Sequence, residues 1–565
     1  MDYKRKVAEV IREQIDINLH NIEELIEIPP SIEMGDYAFP CFQLAKVFRK
    51  DPNIIAEELN KKLRKDGFEK VRNLGPYVNF FIDKSEFKKE ILEKILLGGN
   101  NYGKSNIGNG KTICIECSSP NIGDYFNVGH LVSAVIGNCL YKLFNIGGYK
   151  VELINHLGDW GSRFDKIIYA YKRWGNDKAL VEDVTTELLR VYHKFREDSK
   201  SYSLLEKEKR LYFKELENNN ENTEGLMEKV KDLTLREFER IYGIFNINFN
   251  SYISKSFYDD RIDSLINKLK EKIILFESNG TQIIMLNEYN MPPCVILEEN
   301  NRVKYETIDL VATIYKKNTY NFDKCIYVFG ASETLYFKKI FKALELLGYQ
   351  WVSDCIHVRF GLFKFQDRSY FARVGEVHLL DDLIDKAIEK SLEIINEKNL
   401  SLVNKEEAAK KIAIGALIFT CLNSPREKDI VFNLNEAISF EGETSPYIQY
   451  VYLIAKNILK NAKELDVNPN FRKLNSKEES DLVRVLEGFN KVISESTEKL
   501  EPCIIAKYTI KLVNTFSKFY NSHPILSLED EELMKARLIL VEATCQIIKN
   551  SLDLMGIEVV EIYNN

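Results

Sequence analysis

TICIECSSPNIGDYFNVGHLVSAVIGNCLYKLFNIGGYKVELIN, residues 112–155, decides the fold. Thr112–Cys117 is a short β-branched run bounded by polar residues and predicts a strand. From His130 to Phe144 the apolar residues Leu131, Val132, Val135, Ile136, Cys139, Leu140, Leu143 and Phe144 recur at three- and four-residue steps, which predicts a helix. Gly147 and Gly148 end it, and Tyr149–Asn155 predicts a second strand. A βαβ unit implies a parallel sheet, with ligands at the carboxyl ends of its strands.

The loop of residues 118–130 lies at that edge and carries Asn127, Gly129 and His130 beside the helix N-terminus. Free backbone N–H groups and the helix dipole favour phosphate there. Gly129 lets a nucleotide approach the backbone, and His130 is a donor for a phosphate or ribose oxygen. An ordinary strand-to-helix turn capped by Asn127 fits the same residues. The chain has neither a G-x-x-x-x-G-K-[ST] loop nor a G-x-G-x-x-G turn.

Upstream, the amphipathic MDYKRKVAEVIREQIDINL, the helix start Asp51-Pro52 and the strand pair VRNLGPYVNFFID around a Gly-Pro turn read as a small α/β domain. Gly98–Lys111, rich in Gly and Asn, reads as a linker. Downstream, residues 165–290 are helical and charged, with the polar run ELENNNENTEG, and read as an insertion. Strand signals return at 294–307, 324–332 and 355–361, with a helix over Thr334–Leu347. Beyond about residue 400 nearly every segment is a long amphipathic helix. The expected fold is therefore multidomain, α/β followed by all-α. The divisions are 1–105, 106–395 with its insertion, and 396–565.

The chain has 565 residues, which fits three or four domains of ~150 residues. It is 45% hydrophobic and 29% charged, too apolar for a disordered chain. Its net charge of −7 excludes a wholly basic nucleic-acid coat protein but not local basic faces. Lys456, Lys460 and Lys463 repeat at helical spacing, as do Lys507 and Lys511. Such a row is either a solvated face or a track for a phosphate backbone. Ten cysteines scattered inside apolar runs suit a reducing compartment. Cys114 and Cys117 point to opposite faces of one strand and read as core residues. The seven histidines do not pair at ligand spacing, so no tightly bound metal is expected. The N-terminus is not a signal peptide, and no apolar run approaches the ~20 residues of a membrane span. The reading is a large cytoplasmic protein.

Along its whole length the chain resembles the arginyl-tRNA synthetases, a family of class I aminoacyl-tRNA synthetases. EMGDYAFPCFQLAKVFRKDPNIIA resembles that family's N-terminal tRNA-binding domain. ECSSPN, NVGH and LINHLGDWGSRF are similar to its first catalytic signature and the strand after it. MPPCVIL, KYETIDLVATIYKKNTYNFDK and HVRFGL are similar to the second half of its catalytic domain. EGETSPYIQYVYLIAKNIL, FSKFYNSHPIL and ARLILVEATCQIIKNSLDLMGI are similar to its helical anticodon-binding domain.

The resemblance implies activation of L-arginine by ATP, with Mg2+, to arginyl-adenylate and transfer of the arginyl group to tRNA(Arg), by a monomer that uses no membrane. It implies that Glu116, Ser119 and Asn121 hold the ammonium and carboxylate of arginine. Tyr305 and Asp309 face the guanidinium, with Glu333 in the same pocket where the family has Gln, and Tyr336 where it has His. A carboxylate opposite a guanidinium gives charge-assisted, bidentate recognition. ATP would meet Asn127, Gly129, His130, His357, Phe360 and Arg373, of which Asn127, Gly129, His130 and Arg373 are catalytic. Lys456, Lys460, Lys507 and Lys511 would meet tRNA.

The ATP side departs from the family pattern. Asn127 stands at a usual His, Asp124 at a Lys found in many members, and Val374 at the second lysine of a K-M-S-K-like loop. With Glu333, the site is expected to be four charge units more negative than the family's. The Asn127 amide, Arg373, Lys364 and Arg368 are candidate compensations. Two readings follow: a working arginine–tRNA ligase, and a paralogue that binds tRNA(Arg) or arginine without efficient adenylation. The cation count at the ATP site separates them.

Overall fold

The computed structural model describes residues 3–15, 18–65, 67–159, 162–201, 205, 208–209, 221–366, 380–398 and 404–561. The chain divides into two compact units. One comprises Met1–Gly99, Ile458–Glu487 and Lys518–Ala543; the other comprises Asn100–Asn457, Gly488–Ser517 and Thr544–Asn565.

In the first unit, β1 (Tyr37–Pro40), β2 (Phe68–Leu74) and β3 (Tyr77–Ile82) form an antiparallel sheet in the order β1-β3-β2. The β2–β3 pair turns at Gly75-Pro76, as its sequence predicts. Asp51 caps helix Pro52–Lys62 by accepting from the Asn53 N–H at 2.9 Å. Val7, Ile11, Phe39 and Phe80, all fully buried, anchor the core. The helical part of this unit holds a buried ion pair, Arg537 Nε donating to Glu479 Oε1 at 2.8 Å.

The second unit contains the parallel sheet. Its strands are β4 (Thr112–Cys117), β5 (Lys150–Leu157), β6 (Ser251–Ser254), β10 (Lys324–Gly330) and β11 (Cys355–Phe360), in the order β11-β10-β4-β5-β6. Every neighbouring pair is parallel. All five carboxyl ends therefore meet at one edge. Helix Val128–Ile146 crosses from β4 to β5 and covers the sheet, and Gly137 makes the close approach possible: a Cβ there would lie 2.4 Å from Cys117 Sγ. All ten cysteines are free and buried.

Three expectations need correction. The 165–290 stretch is not helical throughout. It contains edge strand β6, and it contains β7 (Leu275–Ser278) and β8 (Thr281–Ile284), which pair antiparallel with β9 (Cys294–Leu297). These strands have four residues each, too few for an alternation to show. The 294–307 stretch is strand only at β9; Tyr305–Tyr320 is a helix, whose buried Ile308, Val311 and Ala312 keep helical spacing. The Gly/Asn-rich stretch before β4 is not a free linker. Its N–H groups at Ser105, Gly108 and Gly110 donate to Ile146, Gly147 and Gly148 carbonyls at 2.9, 2.9 and 3.1 Å. Among the described residues, no helix is long and apolar enough to cross a membrane.

Candidate functional site

The carboxyl edge of the parallel sheet gathers Ser119, Asn121, Asn127, Gly129, His130 and Glu333 in the segments that follow β4 and β10. The chain leaves β4 under strain. Ser118 and Ser119 have φ of 65° and 49°, two consecutive left-handed residues with side chains. Each such residue costs about 1–2 kcal/mol. The surroundings hold them there. The Ser118 N–H donates to Ser133 Oγ at 2.7 Å, and Tyr242 donates to Ser118 Oγ at 2.8 Å. Ser133 in turn donates to the Val328 carbonyl at 2.5 Å, tying the loop to β10. The backbone N–H of His156 donates to Ser119 Oγ at 3.3 Å. Asn121 forms a parallel bridge with Gly158, where a Cβ would lie 1.9 Å from Asn121 Oδ1, so a larger residue there would displace the Asn121 side chain. Fixed strain at a strand end of this kind is a mark of a functional loop.

At the helix N-terminus both sequence readings hold together. Asn127 Oδ1 accepts from the His130 N–H at 3.1 Å, and the Asn127 N–H donates to His130 Nδ1 at 3.2 Å, a reciprocal cap. The cap fixes the imidazole tautomer. Nδ1 is an acceptor, so the neutral ring carries its proton on Nε2. Burial pushes the His130 pKa down to about 4, so the ring is neutral at pH 7. The result is an uncharged donor next to a dipole-positive terminus. Asn127, with Oδ1 spent on the cap, keeps its Nδ2 as donor.

The extra negative charge expected at Asp124 is answered locally. Arg163, from helix Ser162–Trp174, donates to Asp124 Oδ1 at 2.7 Å and lies over the Tyr192 ring at 4.8 Å. Burial pushes the Asp124 carboxyl up and Arg163 opposes that shift. Counting residues along one motif misses this partner, which stands 39 positions away. Lys364, a candidate compensating cation, is instead engaged by Asp429 at 2.5 Å. Arg368, Arg373 and Val374 lie outside the described residues. His357 stacks on Phe337 at 4.7 Å, with Nε2 3.3 Å from the Phe329 carbonyl. Phe360 is buried at the end of β11.

A buried polar cluster lies where β5 and β6 end and helix Tyr305–Tyr320 packs. Tyr305 and Asp309 are four residues apart on helix Tyr305–Tyr320 and so share a face. Tyr336 donates to Asp309 Oδ2. Asp309 Oδ1 is 3.4 Å from Lys255 Nζ and 3.9 Å from His156 Nδ1, yet it has no hydrogen-bond partner. His156 Nε2 and the Tyr258 hydroxyl, on rings in edge-to-face contact at 5.4 Å, are also buried without a partner. Three unsatisfied buried polar atoms in touching side chains mark a place built for a polar ligand. Glu116 does not stand open to that ligand. One oxygen takes the ammonium of the buried Lys316, and the other is 3.5 Å from His156 Nδ1. Burial alone would raise its pKa, but Lys316 and His156 outweigh that and hold the carboxyl well below the usual range. Glu333 is exposed, and Ser332 donates to it at 3.2 Å.

His156, Lys255, Tyr258, Lys316 and Arg163 are packed against the candidate residues, and single motifs do not disclose them. Their one signal is position: His156 and Arg163 lie in LINHLGDWGSRF, the stretch that follows the first signature. On the helical segments Lys456, Lys460, Lys507 and Lys511 are all exposed. Among the described residues, no group of three or more His, Cys, Asp or Glu side chains is placed to hold a metal ion.

Three family models cover the chain. The arginyl tRNA synthetase N terminal domain matches residues 1–82, the catalytic domain of class I (R) tRNA synthetases residues 91–434, and the DALR anticodon binding domain residues 448–562. The chain is 53% identical over 561 residues to an arginine–tRNA ligase of Clostridium botulinum, covering 99% of this chain and 100% of that protein. It is 52% identical over 563 residues to that of Clostridium perfringens, at the same coverage of both. Its fold is that of Thermus thermophilus arginyl-tRNA synthetase, with a TM-score of 0.73 at 22% identity over 99% of this chain and 100% of that one. The Plasmodium falciparum arginyl-tRNA synthetase gives a TM-score of 0.71 at 21% identity over 99% of each chain. Matched by the class I (R) catalytic-domain model over more than half its length and by relatives of over 50% identity from end to end, the chain belongs to the arginyl-tRNA synthetase family.

Proposed function

We propose that the chain is an arginine–tRNA ligase, acting as a cytoplasmic monomer on L-arginine, ATP and tRNA(Arg). The observation that carries this is the cluster of Asp309, His156 and Tyr258, three side chains with unsatisfied buried polar atoms, where β5 and β6 end on the same sheet edge that the Asn127–His130 cap follows. Asp309 and Tyr305 would take the guanidinium. Ser119 and Asn121 would hold the ammonium and carboxylate, while Glu116, already engaged, acts through His156 by orienting its ring.

In the first step a carboxylate oxygen of arginine attacks the α-phosphorus of ATP, and pyrophosphate leaves. In the second a hydroxyl of the terminal tRNA ribose attacks the arginyl carbonyl, and AMP leaves. The protein supplies position and fixed dipoles. His130 Nε2, the Asn127 amide and the N–H groups of the first helical turn, Gly129 included, face the phosphates. His357, Phe360 and Arg373 complete the ATP side. Mg2+ would enter with ATP and neutralise charge on its phosphates; among the described residues no group of three or more His, Cys, Asp or Glu side chains is placed to hold it. Residues 1–105 and 396–565 would grip tRNA, with Lys456, Lys460, Lys507 and Lys511 on its backbone, and residues 106–395 would do the chemistry.

The pairing of Asp124 with Arg163 answers one of the charge differences behind the reading as a non-adenylating paralogue, and favours the ligase. The test is arginine-dependent ATP–pyrophosphate exchange by the purified full chain with tRNA(Arg). Exchange that requires arginine is expected. No exchange while tRNA still binds would overturn the ligase reading.

A further inference from the structure

Lys255 places an ammonium group inside the pocket that the proposed reading reserves for a guanidinium. It follows β6 directly and is the first residue of the short 3-10 turn Lys255–Arg261. Its side chain is only 15% exposed. Its Nζ lies 3.4 Å from Asp309 Oδ1 and 4.6 Å above the ring of Tyr305. Those are the two groups that a bound guanidinium would use, one for charge and one for stacking. The Lys255–Asp309 contact is an ion pair without a hydrogen bond, since Asp309 Oδ1 is left unsatisfied. A lysine ammonium neutralises this pocket but does not complete it.

We propose that Lys255 is a specificity-determining residue: a tethered stand-in for the substrate's cation that excludes lysine and other ammonium-bearing amino acids while yielding to arginine. The inference rests on reading Asp309 and Tyr305 as the guanidinium site. A tethered group competes at an effective concentration of order mM. A free lysine would bring the pocket only what Lys255 already provides. A guanidinium brings more: a planar fork of five donors that can bond both carboxylate oxygens in the plane, and a flat face that stacks on Tyr305. Lys255, on a flexible four-carbon stem, can withdraw when that better partner arrives. The discrimination against lysine is therefore built into the empty pocket and does not depend on a clash.

The test is calorimetric binding of arginine and of lysine, each alone, to the full chain. It needs no adenylation, so it separates failure of this inference from failure of the pocket reading. Lys255→Met, which keeps the stem and removes the charge, should tighten lysine about tenfold. Arginine should change by less than about threefold, so the arginine-to-lysine ratio falls. Lys255→Arg puts a better competitor in the same place and should weaken arginine about tenfold or more while lysine stays excluded. A structural role alone would not move the two ligands in opposite senses across the two variants. An unchanged ratio in Lys255→Met, or arginine binding weakened by more than about threefold in that variant, would overturn the inference. No arginine binding by the unaltered chain would overturn the pocket reading and this inference with it.

Discussion

His130 shows how one side chain can do two jobs at a helix terminus. Nδ1 accepts the Asn127 N–H, and this leaves Nε2–H as a donor aimed away from the cap. Removing a preorganised donor to developing phosphate charge typically costs ~10²–10³ in rate. His130→Ala should therefore cut arginine-dependent pyrophosphate exchange by about that factor. His130→Gln, which can still cap and donate, should recover part of it. Burial sets the pH behaviour. The pKa is pushed down from 6.5 to about 4, so the donor form persists through neutral pH and this imidazole should add no inflection to the exchange rate between pH 5 and 8. The same shift has a stability sign. The unfolded chain takes up the proton near 6.5 and the folded chain only near 4, so stability should fall as the pH drops across that window. Denaturation midpoints for the wild type and His130→Gln at pH 7 and pH 5 check this: the wild type should lose more on acidification.

At the scale of elements, the pair of Glu116 on β4 and Lys316 on helix Tyr305–Tyr320 joins the sheet to the helix that carries Tyr305 and Asp309. Both side chains are almost fully buried. Removing one partner of such a pair leaves a buried charge alone and costs ~3–5 kcal/mol, while removing both can be nearly neutral. Lys316→Met should therefore destabilise strongly, and adding Glu116→Gln should restore more than half of the loss. Trp174 and Trp351 both fall in the second unit, so their fluorescence during urea denaturation reports on the unit that holds this pair. Equal losses in the single and double variants would mean that the pair does not fasten the helix.

These elements also show what the sequence could disclose. Strands β4 and β5 were legible as short apolar runs, buried nearly throughout, and the helix between them because its apolar residues repeat at helical spacing. The structure extends the helix back to Val128, directly after the Asn127 cap that the sequence pointed to. Strand β6 was not legible: four half-buried residues on a sheet edge make no pattern. The pocket was legible at Tyr305 and Asp309, four apart on a recognisable segment. It was not legible at Lys255 or Lys316, which meet their partners across 54 and 200 positions. The partner of Asp124 was not legible for the same reason. A charge is read from one position, but its partner is chosen by the fold.

For the whole molecule, a net charge of −7 and a polyanionic partner are compatible only if the positive charge is local. Lys507 and Lys511 are both exposed and lie one helical turn apart on helix Cys503–Ser522. If they track the tRNA backbone, binding releases counterions from the phosphates they neutralise, and affinity falls with salt. Replacing both with alanine should weaken tRNA binding and reduce the slope of log affinity against log salt by about two, one for each phosphate left without its lysine. The weakening should be largest at low salt and shrink as salt rises. Lys499 is the internal control, since it is exposed but held by Glu495 at 2.6 Å, and Lys499→Ala should leave the slope unchanged. If these lysines act only on the tRNA backbone, arginine affinity measured on the same proteins should not move. A slope that survives removal of both lysines would return them to the solvated face that such rows usually are.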